Sequence, residues 1–124
     1  MIDVVCGVVR NDKGEYLITQ RGDEKNYGKW EFPGGKLKEN ELPFDSIKRE
    51  LLEELELKVN PINEIKRYTY KQFNLIFILC VPLNPDEIKL KEHLELTWVK
   101  VKDFKKYNFL EGDLEFIKNY IEGR

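Results

Sequence analysis

The stretch GGKLKENELPFDSIKRELLEELEL, residues 34–57, decides the fold because a glycine turn runs directly into an acidic amphipathic helix. Four apolar residues recur at helical spacing and form one stripe: Phe44, Ile47, Leu51 and Leu55. Pro43 stands where proline is tolerated, at the first helical position. We therefore predict a helix at roughly residues 43–56 that turns this stripe toward the core.

The same helix carries a dense group of carboxylates. Glu50, Glu53 and Glu54 fall within two turns, on the sector beside the apolar stripe. Like charges four residues apart destabilise a helix by roughly 0.2–0.5 kcal/mol per exposed pair, a penalty that a bound cation would remove. Carboxylate oxygens are the ligands that hard divalent ions such as Mg²⁺ prefer. On the helix alone, a merely solvated charged face is the commoner explanation.

Length and composition indicate one globular domain. The 124 residues suffice for a single core, with 41% apolar residues and a net charge of −2, so we expect one domain spanning 1–124. This charge provides no basic field for duplex DNA or an anionic membrane, but a free nucleotide needs only a local pocket. We therefore expect a small-molecule substrate, no stable nucleic acid partner and no membrane, with monomer and homodimer both open.

Two short apolar segments bear on the compartment. The N-terminal MIDVVCGVV lacks a positively charged leader, and LIFILCVPL at 75–83 is too short to span a bilayer. Cys6 and Cys80 lie in apolar, strand-like runs, so we predict buried free thiols in a reducing compartment. The cytoplasm is the expected location.

The remaining chain predicts strands and one further helix. Residues 2–10 and 15–20 are rich in β-branched residues around NDKG, which predicts a hairpin. Three later runs also indicate strands: 65–73, 75–82 and 95–101. Leu114, Ile117, Tyr120 and Ile121 form the stripe of a C-terminal helix. The order predicts an α/β (α+β) domain with a mixed sheet flanked by helices.

The spacing of the acidic segment resembles a known signature. The pattern G-x5-E-x7-R-E-L-x-E-E-x-x-L occurs as Gly35, Glu41, Arg49, Glu50, Leu51, Glu53, Glu54 and Leu57. This resembles the Nudix box of the Nudix hydrolases, and WEFPGGK at 30–36 is similar to the MutT-like subgroup. The resemblance implies a Nudix-type α/β/α sandwich. Glu56 stands where the family usually has a glycine, so we expect a local change at the helix end.

The resemblance implies a divalent metal, Mg²⁺ with Mn²⁺ as the alternative, and assigns its ligands. Glu53 and Glu54 match the principal metal-binding pair, and Glu50 matches a metal-site or base-like glutamate. Gly35 would offer a backbone carbonyl, and Arg49 would orient the carboxylates by ion pairing. Another residue of the box, Glu41, would fix the loop onto the helix or is simply solvated.

Two further sites follow from the resemblance. Glu92, six residues before Trp98, matches a loop glutamate that serves as an extra metal ligand or general base, with a solvated loop glutamate as the alternative. His93 is the only histidine and is expected to be an ordinary loop residue, so a zinc site is not predicted. Arg21 matches a position near the nucleotide, and Lys36 is a second candidate for the phosphates.

The base-recognition residues are less specified. Asp113 matches a side chain at the start of the last helix that contacts the base, and its alternative role is to cap that helix. An ionised aspartate only accepts hydrogen bonds, which favours cytosine over a strict 8-oxo-guanine assignment. Phe32, like the strand aromatics Tyr68, Tyr70 and Phe73, would stack on a base or pack in the core.

The resemblance predicts an enzyme that hydrolyses a (deoxy)nucleoside triphosphate to a nucleoside monophosphate and pyrophosphate. Removal of 8-oxo-dGTP-like triphosphates from the nucleotide pool is the first expectation, and hydrolysis of CTP or dCTP is the alternative. A non-catalytic nucleotide-binding Nudix module is a weaker alternative, since degenerate members usually lose box glutamates and this chain retains them.

Overall fold

The computed structural model describes residues 1–123 as seven strands, two α-helices and short 3₁₀ and π turns. The strands are β1 Ile2–Val9, β2 Tyr16–Gln20, β3 Trp30–Glu31, β4 Gly34–Lys36, β5 Val59–Tyr70, β6 Phe73–Pro82 and β7 Glu95–Val99. The helices are α1 Pro43–Leu55 and α2 Glu111–Phe116; the turns are Pro85–Glu87, Val101–Lys106 and the π turn Ile117–Ile121. No helix in the described part of the chain is long and apolar enough to cross a bilayer.

The strands form two sheets. The larger has the order β4-β1-β6-β5, with β1 parallel to β6 and the other pairs antiparallel. The smaller is antiparallel with the order β3-β2-β7. The sequence prediction of one mixed sheet is therefore right for the larger sheet, and the smaller sheet adds a second surface beside it.

The predicted hairpin between residues 2–10 and 15–20 is right at its turn, where the Gly14 N–H donates to the Asn11 carbonyl, but wrong in the pairing of its strands. Both runs are strands, but they diverge after a single bridge between Arg10 and Tyr16. A strand has only two hydrogen-bonding edges, and those of β1 are taken by β4 and β6. The β4 edge requires Gly34, because a Cβ there would lie 1.9 Å from the Val5 carbonyl oxygen.

Two hydrophobic clusters lie on opposite faces of the larger sheet. The α1 face buries Ile47, Leu51 and Leu55 completely against strand residues that include Val5 and Ile76. The other face packs aromatic residues from β6 and the C-terminal segment, with Phe77 and Phe116 stacked at 4.2 Å between ring centroids. Helical segments on both faces confirm the predicted α/β/α arrangement.

Helix α1 confirms the predicted segment and shows how it ends. Glu56 adopts a left-handed conformation, with φ 51° and ψ 28°, and its N–H donates to the Leu52 carbonyl. The Leu57 N–H donates to the Leu51 carbonyl, which completes a glycine-type helix terminus without glycine. The expected local change is therefore wrong. Glu56 adopts the left-handed conformation usual for glycine at a cost of about 1 kcal/mol in stability. A 3.0 Å salt bridge to Lys91 offsets part of that cost.

The C-terminal segment differs from the predicted single helix. After α2 the helix continues as one wider π turn, in which the Glu122 N–H donates to the carbonyl of Ile117, five residues earlier. This changes which residues face inward: Ile117 and Ile121 are buried as predicted, but Leu114 is 47% exposed. In the acidic helix, Phe44 is likewise at the margin of its stripe, at 39% exposed.

Candidate active site

Helix α1 carries the acidic residues along one side of the larger sheet, beside β4. The buried Ile47, Leu51 and Leu55 fix the rotation of the helix, and Glu50 and Glu54 consequently lie next to the sheet. Glu50 contacts the glycine turn directly: a Cβ on Gly35 would lie 2.4 Å from the Glu50 carboxyl carbon. Residue 35 therefore has to be glycine for the Glu50 carboxylate to stay where it is.

Arg49 joins the carboxylates to the loop. Its Nε and Nη2 atoms donate to the two oxygens of Glu41, at 2.7 and 2.9 Å. Its Nη1 atom donates to Glu50 at 2.9 Å and to Glu53 at 3.0 Å, and Nη2 also donates to the Lys36 carbonyl. These bonds from Arg49 lower the pKa of Glu41 to about 2. Arg49 thus bonds to Glu41, Glu50 and Glu53 together, and through Glu41 the loop is joined to the helix.

Glu54 has the most perturbed environment of the acidic group. Burial, together with the charges of Glu31, Glu50 and Glu92, raises the pKa of its carboxyl to about 9. Its Oε2 atom is buried and has no hydrogen-bond partner in the described structure. A buried acceptor without a partner costs about 1–3 kcal/mol, so this oxygen needs a proton or a cation.

These residues fit a hard divalent cation by their chemistry. All the candidate donors are oxygens, and the buried Glu54 Oε2 has no hydrogen-bond partner in the described structure. As the side chains stand, residues 1–123 contain no group of three or more Asp, Glu, His or Cys placed to hold a metal ion. Arg49 takes part of the acceptor capacity of Glu50 and Glu53, and the Glu53 side chain is 51% exposed. Ligation would therefore require these side chains to turn.

A cleft of about 520 Å³ opens beside the acidic group. Its lining includes four residues predicted to contact a substrate: Arg21, Phe32, Lys36 and Asp113. Gly35 lines it too, whereas the α1 glutamates and Glu92 do not. The acidic group and the cleft therefore meet at the Gly34–Lys36 strand.

Part of the cleft wall is basic. Arg21 donates to Asp23 at 2.7 Å and to Glu31 at 3.1 Å, which holds its guanidinium in place. Sequence reasoning missed the lysines of the same loop, Lys25 and Lys29, which also line the cleft. Basic residues directly after a strand and before the Pro-Gly-Gly turn were the available signal.

Asp113 is not the helix cap that the sequence offered as its alternative role. Leu110 precedes the first turn of α2, and the buried Asp113 side chain accepts a 3.1 Å hydrogen bond from the Phe32 N–H. Burial and the charge of Glu31 raise the pKa of Asp113 to about 8. At neutral pH Asp113 is therefore largely protonated and can donate one hydrogen bond as well as accept. This raised pKa argues against a side chain that only accepts hydrogen bonds.

The aromatic candidates divide into two groups. Tyr70 and Phe73 line the cleft. The Tyr68 ring instead stacks on Phe77 in the core, and its hydroxyl contacts the α2 backbone at Gly112 and Phe116. Phe32 is 2% exposed and packs among core aromatics, although it also borders the cleft.

The strands and helices described above fall within a match to one known protein family. The family model of the NUDIX domain matches residues 2–120. The chain belongs to the Nudix hydrolase family. Nudix hydrolases are generally dependent on a divalent metal and act on small nucleotide substrates, and the MutT-like resemblance of the box is confirmed.

Individual relatives agree with the family assignment. The chain is 35% identical over 109 residues to an 8-oxo-dGTP diphosphatase of Buchnera aphidicola, covering 86% of this chain and 83% of the relative. It is 26% identical to a CTP pyrophosphohydrolase of Escherichia coli, covering 98% and 92%. The crystal structure of a MutT protein from Methanosarcina mazei superimposes with a TM-score of 0.78 at 26% identity, covering 98% and 94%.

Proposed function

We propose that residues 1–124 form one MutT-like Nudix domain that hydrolyses a (deoxy)nucleoside triphosphate to the monophosphate and pyrophosphate with Mg²⁺. Mn²⁺ is the alternative ion. The observation that carries the proposal is the buried, unpartnered Glu54 oxygen in a group of acidic residues beside a cleft lined in part by Arg21, Lys25, Lys29 and Lys36. Carboxylates alone would repel a polyphosphate, so the arrangement makes chemical sense with a cation bound.

Glu53 and Glu54, with Glu50, Glu92 and the Gly35 carbonyl, would hold the ion. When bound, the ion neutralises charge on the phosphoryl oxygens and lowers the pKa of bound water. Arg49 would orient the carboxylates, as its contacts with Glu50 and Glu53 support.

The remaining roles belong to residues of the cleft and the Glu92 loop. Arg21 and Lys36 would bind the phosphates through charge-assisted hydrogen bonds. Water would attack phosphorus, forming a new P–O bond while the bond that joins the α- and β-phosphoryl groups breaks. Glu92 would accept the proton that the water loses. The oxygen that bridged the two groups keeps the electron pair of the broken P–O bond, and the nucleoside monophosphate and pyrophosphate separate.

The base preference turns on Asp113. A protonated Asp113 can donate to a carbonyl oxygen of an oxidised guanine and accept from a base N–H at the same time. This removes the objection to an 8-oxo-dGTP-like substrate, and the Buchnera relative carries the name of such an enzyme. Hydrolysis of CTP or dCTP is the second candidate, which the similarity to the CTP pyrophosphohydrolase supports.

The test is a panel of natural and oxidised triphosphates with Mg²⁺, with pyrophosphate release as the readout. We expect turnover that chelation abolishes, with the highest kcat/KM for 8-oxo-dGTP. Preference for CTP would favour the second candidate. Tight nucleotide binding without turnover of any triphosphate would identify a non-catalytic module.

We also propose a cytoplasmic monomer or homodimer with no stable nucleic acid partner. The free, buried Cys6 and Cys80 fit a reducing compartment.

A further inference from the structure

The loop that carries Glu92 has no strand or helix of its own. It lies between the Pro85–Glu87 turn and β7, and Glu92 is exposed. Yet its backbone packs against the segment that follows β2, because a Cβ on Gly22 would lie 3.7 Å from the Glu92 carbonyl oxygen. Contacts with another part of the fold must therefore hold the loop in place.

The next residue, His93, provides such a contact. Its side chain is only 6% exposed, and its Nε2 atom lies 3.0 Å from Oε2 of Glu31 in β3. The Leu94 N–H donates to the Gln20 carbonyl in β2 at 2.9 Å. Two consecutive residues after Glu92 are thus bound to the smaller sheet.

Glu31 is itself held rigidly. Its backbone pairs with Thr19 across β2 and β3, and its second carboxylate oxygen accepts a hydrogen bond from Arg21 at 3.1 Å. Both oxygens of Glu31 are therefore used, one toward Arg21 and one toward His93. This gives the exposed loop a fixed attachment point on a buried strand.

We propose that His93 is a positioning residue, which anchors the loop through Glu31 and so fixes the position of Glu92. The inference rests on the proposed function, in which Glu92 binds the ion or takes the proton of the attacking water. A misplacement of about 1 Å in such a group can cost about 100-fold in rate. The bond that carries the effect is the one from Nε2, because the Nδ1 atom is buried without a partner in the described structure.

The choice of variants follows from that geometry. Glutamine can place its amide nitrogen near the position of Nε2, whereas asparagine reaches only the position of Nδ1. We expect His93→Ala and His93→Asn to lower kcat by about 10- to 100-fold with KM within about threefold, and His93→Gln to recover most of kcat. Glu95→Gln, an exposed change in the same segment, is the matched control and should match the wild type.

A second readout needs neither metal nor substrate. In metal-free protein, His93→Ala should raise hydrogen exchange at the Leu94 amide at least tenfold, while the amides of β1 and β6 keep their protection. Unchanged exchange at Leu94 would overturn the anchor. If the wild type hydrolyses no triphosphate, the proposed function fails, and this measurement alone then supports or overturns the anchor.

A double-mutant cycle separates positioning from general destabilisation. If His93 acts through Glu92, then His93→Ala should have almost no further effect on kcat in a Glu92→Gln background. An equal loss of kcat in both backgrounds would overturn the positioning role, as would a His93→Ala variant with the kcat of the wild type. In those two cases Mg²⁺-dependent turnover of the wild type would leave the proposed function standing.

Discussion

Replacing Glu54 by glutamine should stabilise the metal-free protein, although the residue is proposed to be essential for turnover. The pKa of Glu54 is raised from 4.5 to about 9, so folding at neutral pH takes up a proton. Stability from this group is fully present below about pH 4.5 and is lost as pH rises toward 9. At pH 7 the difference of about 2.5 pH units corresponds to roughly 3 kcal/mol as an upper bound. Because Glu54 keeps some exposure and glutamine brings its own unpaired groups, we expect a gain of about 1–3 kcal/mol.

Urea unfolding in the presence of a chelator measures this gain. Glu54→Gln should be more stable than the wild type at pH 7.5 and nearly equal to it at pH 4.5, where both side chains are neutral. Glu53→Gln is the matched control on the same helix. Its side chain is half exposed and paired with Arg49, so its effect should stay within about 1 kcal/mol.

Adding Mg²⁺ should reverse the order. The ion should stabilise the wild type in proportion to its binding and should stabilise Glu54→Gln far less. The electrostatic reasoning would be refuted if Glu54→Gln were no more stable than the wild type at pH 7.5, or if its gain were the same at pH 4.5.

Three further substitutions test separate parts of the structure. Glu56→Gly should raise the free energy of unfolding by about 0.5–1 kcal/mol without changing kcat, because glycine adopts the left-handed conformation freely; urea unfolding and turnover check this. Gly35→Ala should keep the fold but lower kcat about 10- to 100-fold, because its Cβ would displace the flexible Glu50 carboxylate. Gly34→Ala should instead unfold the protein, because its Cβ would collide with the β1 backbone, and circular dichroism distinguishes the two variants. With 8-oxo-dGTP, KM of the wild type should rise above about pH 8 as Asp113 ionises and loses its donor, and Asp113→Asn should remove that pH dependence.

Features set by local sequence were predicted well. The helix at 43–56 follows from apolar spacing and from Pro43, and the structure places it at Pro43–Leu55. The acidic residues fall together because they share one helix, so their grouping required no knowledge of the rest of the fold. Arg49 likewise reaches Glu53 four residues away on the same helix.

Features that depend on distant contacts were not predictable. The pairing of β1 with β4 and β6 follows from competition for its edges, which no local pattern reveals. The raised pKa of Asp113 follows from its burial and from the charge of Glu31 on a distant strand. His93 was expected to be an ordinary loop residue, and its contact with Glu31 spans 62 residues. A lone histidine beside a candidate catalytic glutamate was the available signal.

The most direct test of the central claim is the number of protons released when a divalent ion binds. Calorimetric titration of Mg²⁺ or Mn²⁺ at pH 7, repeated in two buffers of different ionisation enthalpy, gives that number. Because Glu54 holds a proton at this pH when no ion is bound, binding to the wild type should release about one proton, and binding to Glu54→Gln should be weak and release none. Equally tight binding to both proteins with no difference in proton release would contradict the account.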